Sequence, residues 1–115
     1  MTTPEKLLQN EILRRFGTQT DLRIWRQNTG VARMGKRVVR FGVPGQADLT
    51  GILSDGRRLE IEVKSPTGRQ TLDQQRYQQM IERFGGLYVL ARSVEDVEEM
   101  LARLDKTGRD MTRRD

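Results

Sequence analysis

Apolar positions change their spacing several times along the chain, and each change marks a predicted element. Leu7, Leu8, Ile12 and Phe16 recur at helical intervals behind Thr3-Pro4. That predicts a helix with Thr3 as N-cap and proline at its first position, ending at about Phe16-Gly17. Glu11 falls inside the stripe, next to Ile12. It is either a carboxylate aimed at the core, which is costly without a partner, or a glutamate at the stripe's edge reaching water. Residues 22–27 predict a strand in which Leu22, Ile24 and Trp25 carry the apolar weight between Arg23 and Arg26. Residues 37–41 are a further candidate strand.

Residues 47–53 and 58–64 alternate as two strands joined around Ser54-Asp55-Gly56, a hairpin signal. Two registers compete. A two-residue Asp55-Gly56 turn would pair Asp48 with Val63 and put it on the opposite face from Glu62 and Lys64. A three-residue loop pairs Leu53 with Arg57, and so Asp48 with Glu62. Ser-Asp-Gly suits the second, a type I turn closed by a left-handed glycine, so that register (or a compensating bulge near Asp48) is expected.

Thr71 reads as the N-cap of a second helix, with Gln74 at the capping-box position. Tyr77, Met80, Ile81 and Phe84 keep helical spacing until Gly85-Gly86 stops them. Residues 87–91 form a short apolar run, a buried strand. Ser93 caps a last helix carrying Val94, Val97, Leu101 and Leu104, and beyond Asp105 the tail is polar. The order is α-β-β-β-α-β-α, with room for a hairpin after the first strand. That predicts an α/β domain over residues 1–105, a mixed sheet flanked by helices, and a frayed tail over 106–115.

Composition narrows the chemistry. The chain has 115 residues, a formal charge of +5, no cysteine and no histidine. The size suits one domain with one core, and the charge favours an anionic partner. Without thiols or imidazoles, any metal must sit on oxygen, which selects hard ions such as Mg²⁺ or Mn²⁺. Neither a signal-peptide layout nor an apolar run of the ~20 residues needed to span a bilayer is visible, so a cytoplasmic protein without a membrane partner is expected. No acid lies between Asp21 and Asp48, while Arg33, Lys36, Arg37 and Arg40 do. With Arg26, this block suits a hairpin or loop that tracks phosphates, each neutralised phosphate releasing a counterion. A solvated basic loop is the plainer alternative.

Alternate strand residues share a face, so Glu60, Glu62 and Lys64 point one way, and Asp48 joins them in the expected register. Two carboxylates ~5 Å apart at their β-carbons repel unless a cation lies between them. Mg²⁺ could take Asp48, Glu62, the Val63 carbonyl oxygen and waters, leaving room for a phosphate oxygen. Lys64 would orient a water, help to deprotonate it, or stabilise the transition state. Glu11, from the first helix, would hold a second metal or an outer-shell water. Glu-x-Lys on a strand is more often a solvated charge pattern; Asp48, opening an apolar strand behind Gly-Val-Pro-Gly, adds weight to the functional reading. For Gln74, capping alone suffices.

The segment Gly42-Val43-Pro44-Gly45-Gln46-Ala47-Asp48, then Glu62-Val63-Lys64, Gln74 and Gly85-Gly86, resembles the virus-type replication-repair nuclease family of the PD-(D/E)xK superfamily. Glu11 and Trp25-Arg26-Gln27-Asn28-Thr29-Gly30 extend the likeness over nearly the whole chain. The superfamily's Pro-Asp pair is here Ala47-Asp48. The resemblance implies a nuclease core dependent on Mg²⁺, with Mn²⁺ as substitute. Asp48 and Glu62 would be metal ligands, Lys64 the catalytic lysine, Glu11 the helix acid and Gln74 the motif glutamine. Small stand-alone members resemble phage proteins and act as homodimers on branched DNA, including four-way junctions. A flap nuclease, a non-catalytic DNA-binding scaffold on the same fold, and a basic RNA- or protein-binding protein with structural acids are the rivals.

Overall fold

The computed structural model describes residues 3–27 and 30–107. The order is α1 (Pro4–Phe16), β1 (Leu22–Arg26), β2 (Gly30–Met34), β3 (Arg37–Phe41), β4 (Leu49–Leu53), β5 (Arg58–Val63), α2 (Leu72–Arg83), β6 (Leu87–Ala91) and α3 (Val94–Thr107). Five strands therefore precede α2 where the simplest sequence order had three. The additions are β2 and β3, which pair antiparallel with each other in a sheet of their own. Their two-residue turn is Gly35-Lys36, with Gly35 at φ 65.

The main sheet runs β1-β4-β5-β6. β1/β4 and β4/β5 are antiparallel and β5/β6 parallel, with α2 as the crossover, so the sheet is mixed. Leu49↔Ile61 and Ile52↔Arg58 fix the β4/β5 register. Extended by one pair at either end, it sets Leu53 opposite Arg57 and Asp48 opposite Glu62. The loop is the three-residue one, closed by bonds from Leu53 N to Arg57 O and from Gly56 N to Leu53 O, both 2.9 Å. Gly56, at φ 91, supplies the left-handed residue.

One face of the sheet packs under α1 and α3. Ile12 and Phe16, Leu22 and Ile24, Leu49 and Leu53, Leu59, Ile61 and Val63, Val89 and Ala91, Val97 and Met100 form this core. Burying a side chain such as Leu59 or Ile61 contributes about 1.5–3 kcal/mol. On the other face α2 contributes Tyr77 and Ile81, packed with Ala47, Met80 and Tyr88. β5 is consequently buried on both sides, including Glu60 and Glu62.

The helix ends follow their sequence signals. The Thr3 side chain accepts from Lys6 N, Thr71 and Gln74 form a complete capping box, and Ser93 Oγ accepts from Asp96 N. Gly86 N reaches Ile81 O and Gly85 N reaches Glu82 O, the paired bonds of a Schellman stop. Three apolar expectations fail. Leu7, Trp25 and Phe84 are exposed: Leu7 turns off the packed stripe of α1, Trp25 lies on a half-covered sheet face, and Phe84 sits at the helix end. α3 extends to Thr107, past the expected tail boundary; residues 108–115 lie outside the described residues. Among the described residues no helix is long and apolar enough to cross a membrane.

Candidate active site

Asp48 enters the site from a loop whose shape is set by backbone contacts. Gly45, at φ 77, lies so close to the start of α2 that a β-carbon would fall 2.1 Å from the Asp73 carbonyl oxygen. Gln46 accepts from Val43 N at 2.7 Å and donates to the Gln27 side chain. Gln27 N donates to the Asp48 carbonyl at 2.9 Å, which fastens the loop to the end of β1. The Asp48 carboxylate then reaches across to β5, where Oδ2 accepts from Val63 N at 2.7 Å.

In an extended strand a residue's N–H and C=O point to the same side. Since Val63 N faces Asp48, the Val63 carbonyl does as well. Lys64 N points the other way, to Ala91 O at 3.0 Å. Burial is the main cause that lifts the Asp48 carboxyl above its ordinary range. The Val63 bond opposes it, the charges of Glu62 and Glu5 add to it, and Lys64 offsets part.

Glu62 is almost completely buried. Its Oε1 accepts from the Tyr88 hydroxyl and from Gln70 Nε2, the latter at 3.3 Å. Gln70 in turn donates to Gln78 Oε1 at 2.9 Å, so the middle of α2 and the strand β6 position this oxygen together. Burial, then donation to Glu62 and the charge of that carboxylate, push the Tyr88 hydroxyl far up, which keeps it a donor. The other oxygen, Oε2, is buried and has no hydrogen-bond donor among the described residues. Lys64 Nζ stands 3.6 Å from it, an ion-pair contact beyond hydrogen-bonding distance. A buried carboxylate oxygen left in that state is costly unless a cation completes it.

Asp48, Glu62, Lys64 and the Val63 carbonyl are thus brought together. The remaining sequence candidates lie elsewhere. Glu11 is half-buried and its carboxylate is paired with Arg14. The acid of α1 that reaches the site is Glu5, whose Oε2 accepts from Ser65 N at 3.2 Å. Six residues separate the two, about 120° around the helix and ~9 Å along it. Gln74 is used in the capping box, accepting from Thr71 N at 2.8 Å. Arg26 ties β1 to α1, donating to Gln9 at 2.7 Å and to Asn10. Arg33, Lys36 and Arg37 are exposed on the β2–β3 hairpin, where the Arg40 backbone pairs with Val31.

Sequence reasoning missed Glu5, Gln70 and Tyr88. An acid in the first turn of a helix reads as a helix-dipole partner, so Glu5 gave no separate signal. Gln70 precedes its helix, and Tyr88 meets Glu62 only through the parallel β5/β6 pairing, which no local pattern encodes. Arg92 was also unmarked. Its Nη1 donates to Ser65 O at 2.6 Å and Gly68 O at 2.8 Å, holding the loop that follows Lys64.

Among the described residues no three acids, histidines or cysteines gather as a ready-made metal cluster. Two carboxylates and one carbonyl nevertheless suit a hard divalent ion, which takes oxygen and retains waters. The donorless Glu62 Oε2 and the negative charges around Asp48 both fit such an ion. No protein-family model matches this chain, and no curated protein is significantly similar to it.

Proposed function

We propose that this chain is a divalent-metal-dependent endonuclease of the PD-(D/E)xK type that hydrolyses phosphodiester bonds in branched DNA. The observation that carries the reading is Glu62 Oε2: a buried carboxylate oxygen without a donor, beside a second carboxylate on Asp48 and a lysine on Lys64. Asp48, Glu62 and the Val63 carbonyl would hold Mg²⁺ or Mn²⁺, with Glu5, rather than Glu11, as the helix carboxylate in reach of an outer water. When bound, the ion supplies Lewis acidity, acidifying water and neutralising charge that builds on the phosphate.

The protein groups do the rest. Tyr88 and Gln70 fix Glu62 Oε1, so that Oε2 keeps one orientation. Lys64 orients the attacking water or stabilises the pentavalent phosphate by its charge. The exposed cations Arg33, Lys36 and Arg37 offer phosphate contacts on the hairpin, which position DNA without reading its sequence. A junction needs two symmetric cuts and each chain carries one candidate site, so the active form is a homodimer whose two-fold matches the substrate.

Labelled four-way junction and matched linear duplex, incubated with Mg²⁺, Mn²⁺ or EDTA, test this. The expected result is paired symmetric cuts in the junction that vanish in EDTA. Binding without cleavage in either metal would make the chain a DNA-binding protein on a nuclease-like fold.

A further inference from the structure

The main sheet's second face is only half covered. On β1, Leu22 and Ile24 point into the core under α1, so Arg23 and Trp25 point to the opposite face, the one that carries Glu60 and Glu62. α2 roofs that face over β5 and β6. Among the described residues it is open at Trp25 on β1 and at Ile52 near the turn end of β4, 52 % and 47 % exposed, while Thr50, between Trp25 and Glu60, is buried. The registers set Arg23 opposite Ile52, and Trp25 in one rung with Thr50, Glu60 and Tyr88. Strand spacings of ~4.8 Å and a rise of ~3.4 Å per residue put Trp25 about 12 Å from Glu62 between α-carbons. At about 3.4 Å per base step, that is a few nucleotides of strand.

The rim of this open patch is cationic. Arg23 is exposed, and Arg58, more than half exposed, lies on the same face with its Nε held 2.7 Å from Glu60. Glu60, the acid here, is buried and answered by protein donors. A flat indole flanked by guanidinium groups and leading to a phosphodiester-cleaving site matches a strand that offers alternating π-faces and phosphates. A second copy of the chain fits less well: a two-fold contact would set the Arg23 and Arg58 cluster against its own image.

Resting on the nuclease reading above, we propose that Trp25, with Arg23 and Ile52 beside it, is a stacking platform for an unpaired base a few nucleotides from the scissile phosphate. Bases of an intact duplex are stacked on one another and cannot use it. Bases freed where strands part at a branch can. The platform would therefore select branched over linear DNA through shape, without reading a base edge.

Trp25 is the chain's one tryptophan, so intrinsic fluorescence reports on this position alone. In EDTA, which leaves the strand uncut, a short oligothymidylate should quench the emission saturably, and a blunt linear duplex of equal charge should not. Trp25→Ala should weaken oligothymidylate and junction binding roughly tenfold, Trp25→Phe should retain most of it, and duplex affinity should be unchanged in both. Unchanged emission on strand binding, or equal affinity in Trp25→Ala, overturns the platform. So does a dimer that falls to monomer in sedimentation of Trp25→Ala, which would make the patch a subunit interface. Any of these failures beside intact metal-dependent junction cleavage leaves the nuclease reading standing. Quenching without any cleavage overturns that reading and leaves Trp25 as a base-stacking residue of a strand-binding protein.

Discussion

Glu60 and Glu62 stand two residues apart on one face of β5, both carboxylates sealed from solvent. Their surroundings differ in kind. Glu60 accepts from Gln27 at 2.7 Å and Tyr77 at 2.6 Å on one oxygen, and from Arg58 at 2.7 Å and the Thr50 hydroxyl on the other. Four donors satisfy it, and Arg58 balances its charge. Burial first, and then Glu60, push the Tyr77 hydroxyl up to about 12, keeping it a donor. Glu62 has donors on one oxygen only, and its second faces Lys64 and lies on the side of Asp48. Burial alone does not mark a functional acid. The number of lone pairs that the protein leaves unanswered does.

Substitution should separate the two acids sharply. Glu62→Gln removes a charge that repels Asp48 as well as pairing with Lys64, so its two effects on the fold oppose each other. Nuclease activity on the junction should fall by more than the ~10²–10³-fold typical of losing one preorganised electrostatic group, while the melting temperature holds or rises. Glu60→Ala should do the reverse, leaving the buried Tyr77 and Thr50 hydroxyls without their acceptor at about 1–3 kcal/mol for each group stranded, read in urea unfolding. Equal destabilisation by both would erase the distinction. Tyr88→Phe removes a donor from Glu62 Oε1 without touching Oε2, the oxygen proposed to take the metal; metal affinity measured by calorimetry should drop about 10–100-fold.

The smallest effect is a pH signature. Because burial and the charges of Glu62 and Glu5 raise the Asp48 carboxyl in the folded chain, the native state binds that proton more tightly than the unfolded chain does. Ionised Asp48 therefore costs stability above the raised value, and the cost fades as pH falls toward the ordinary 3.8. Asp48→Asn keeps an acceptor for Val63 N. It should melt a few degrees higher than the parent near neutrality in EDTA, and the gain should shrink in acid. A gain that grows in acid would contradict this. Adding Mg²⁺ should narrow the difference, since only the parent has the ligand.

The elements governed by local chemistry were legible in the sequence. Ser54-Asp55-Gly56 decided the register that faces Asp48 with Glu62, and Thr71 with Gln74 marked the start of α2. What stayed hidden depends on contacts between distant segments. Period counting placed Leu7 in the α1 stripe, yet the packed positions are Leu8, Ile12, Leu13 and Phe16, and that rotation favours Glu5 over Glu11. The partners of Glu62 come from a loop glutamine and from a strand beyond a helical crossover. Trp25 counted toward the apolar weight of its strand because a strand's apolar residues count the same on either face until the covering helices are known.

Diffraction at the manganese edge from crystals soaked in Mn²⁺ tests the central claim most directly. An anomalous peak bounded by Asp48, Glu62 and the Val63 carbonyl, absent in Glu62→Gln, is the predicted result. A peak elsewhere, or none at saturating Mn²⁺, would contradict the metal site and with it the nuclease.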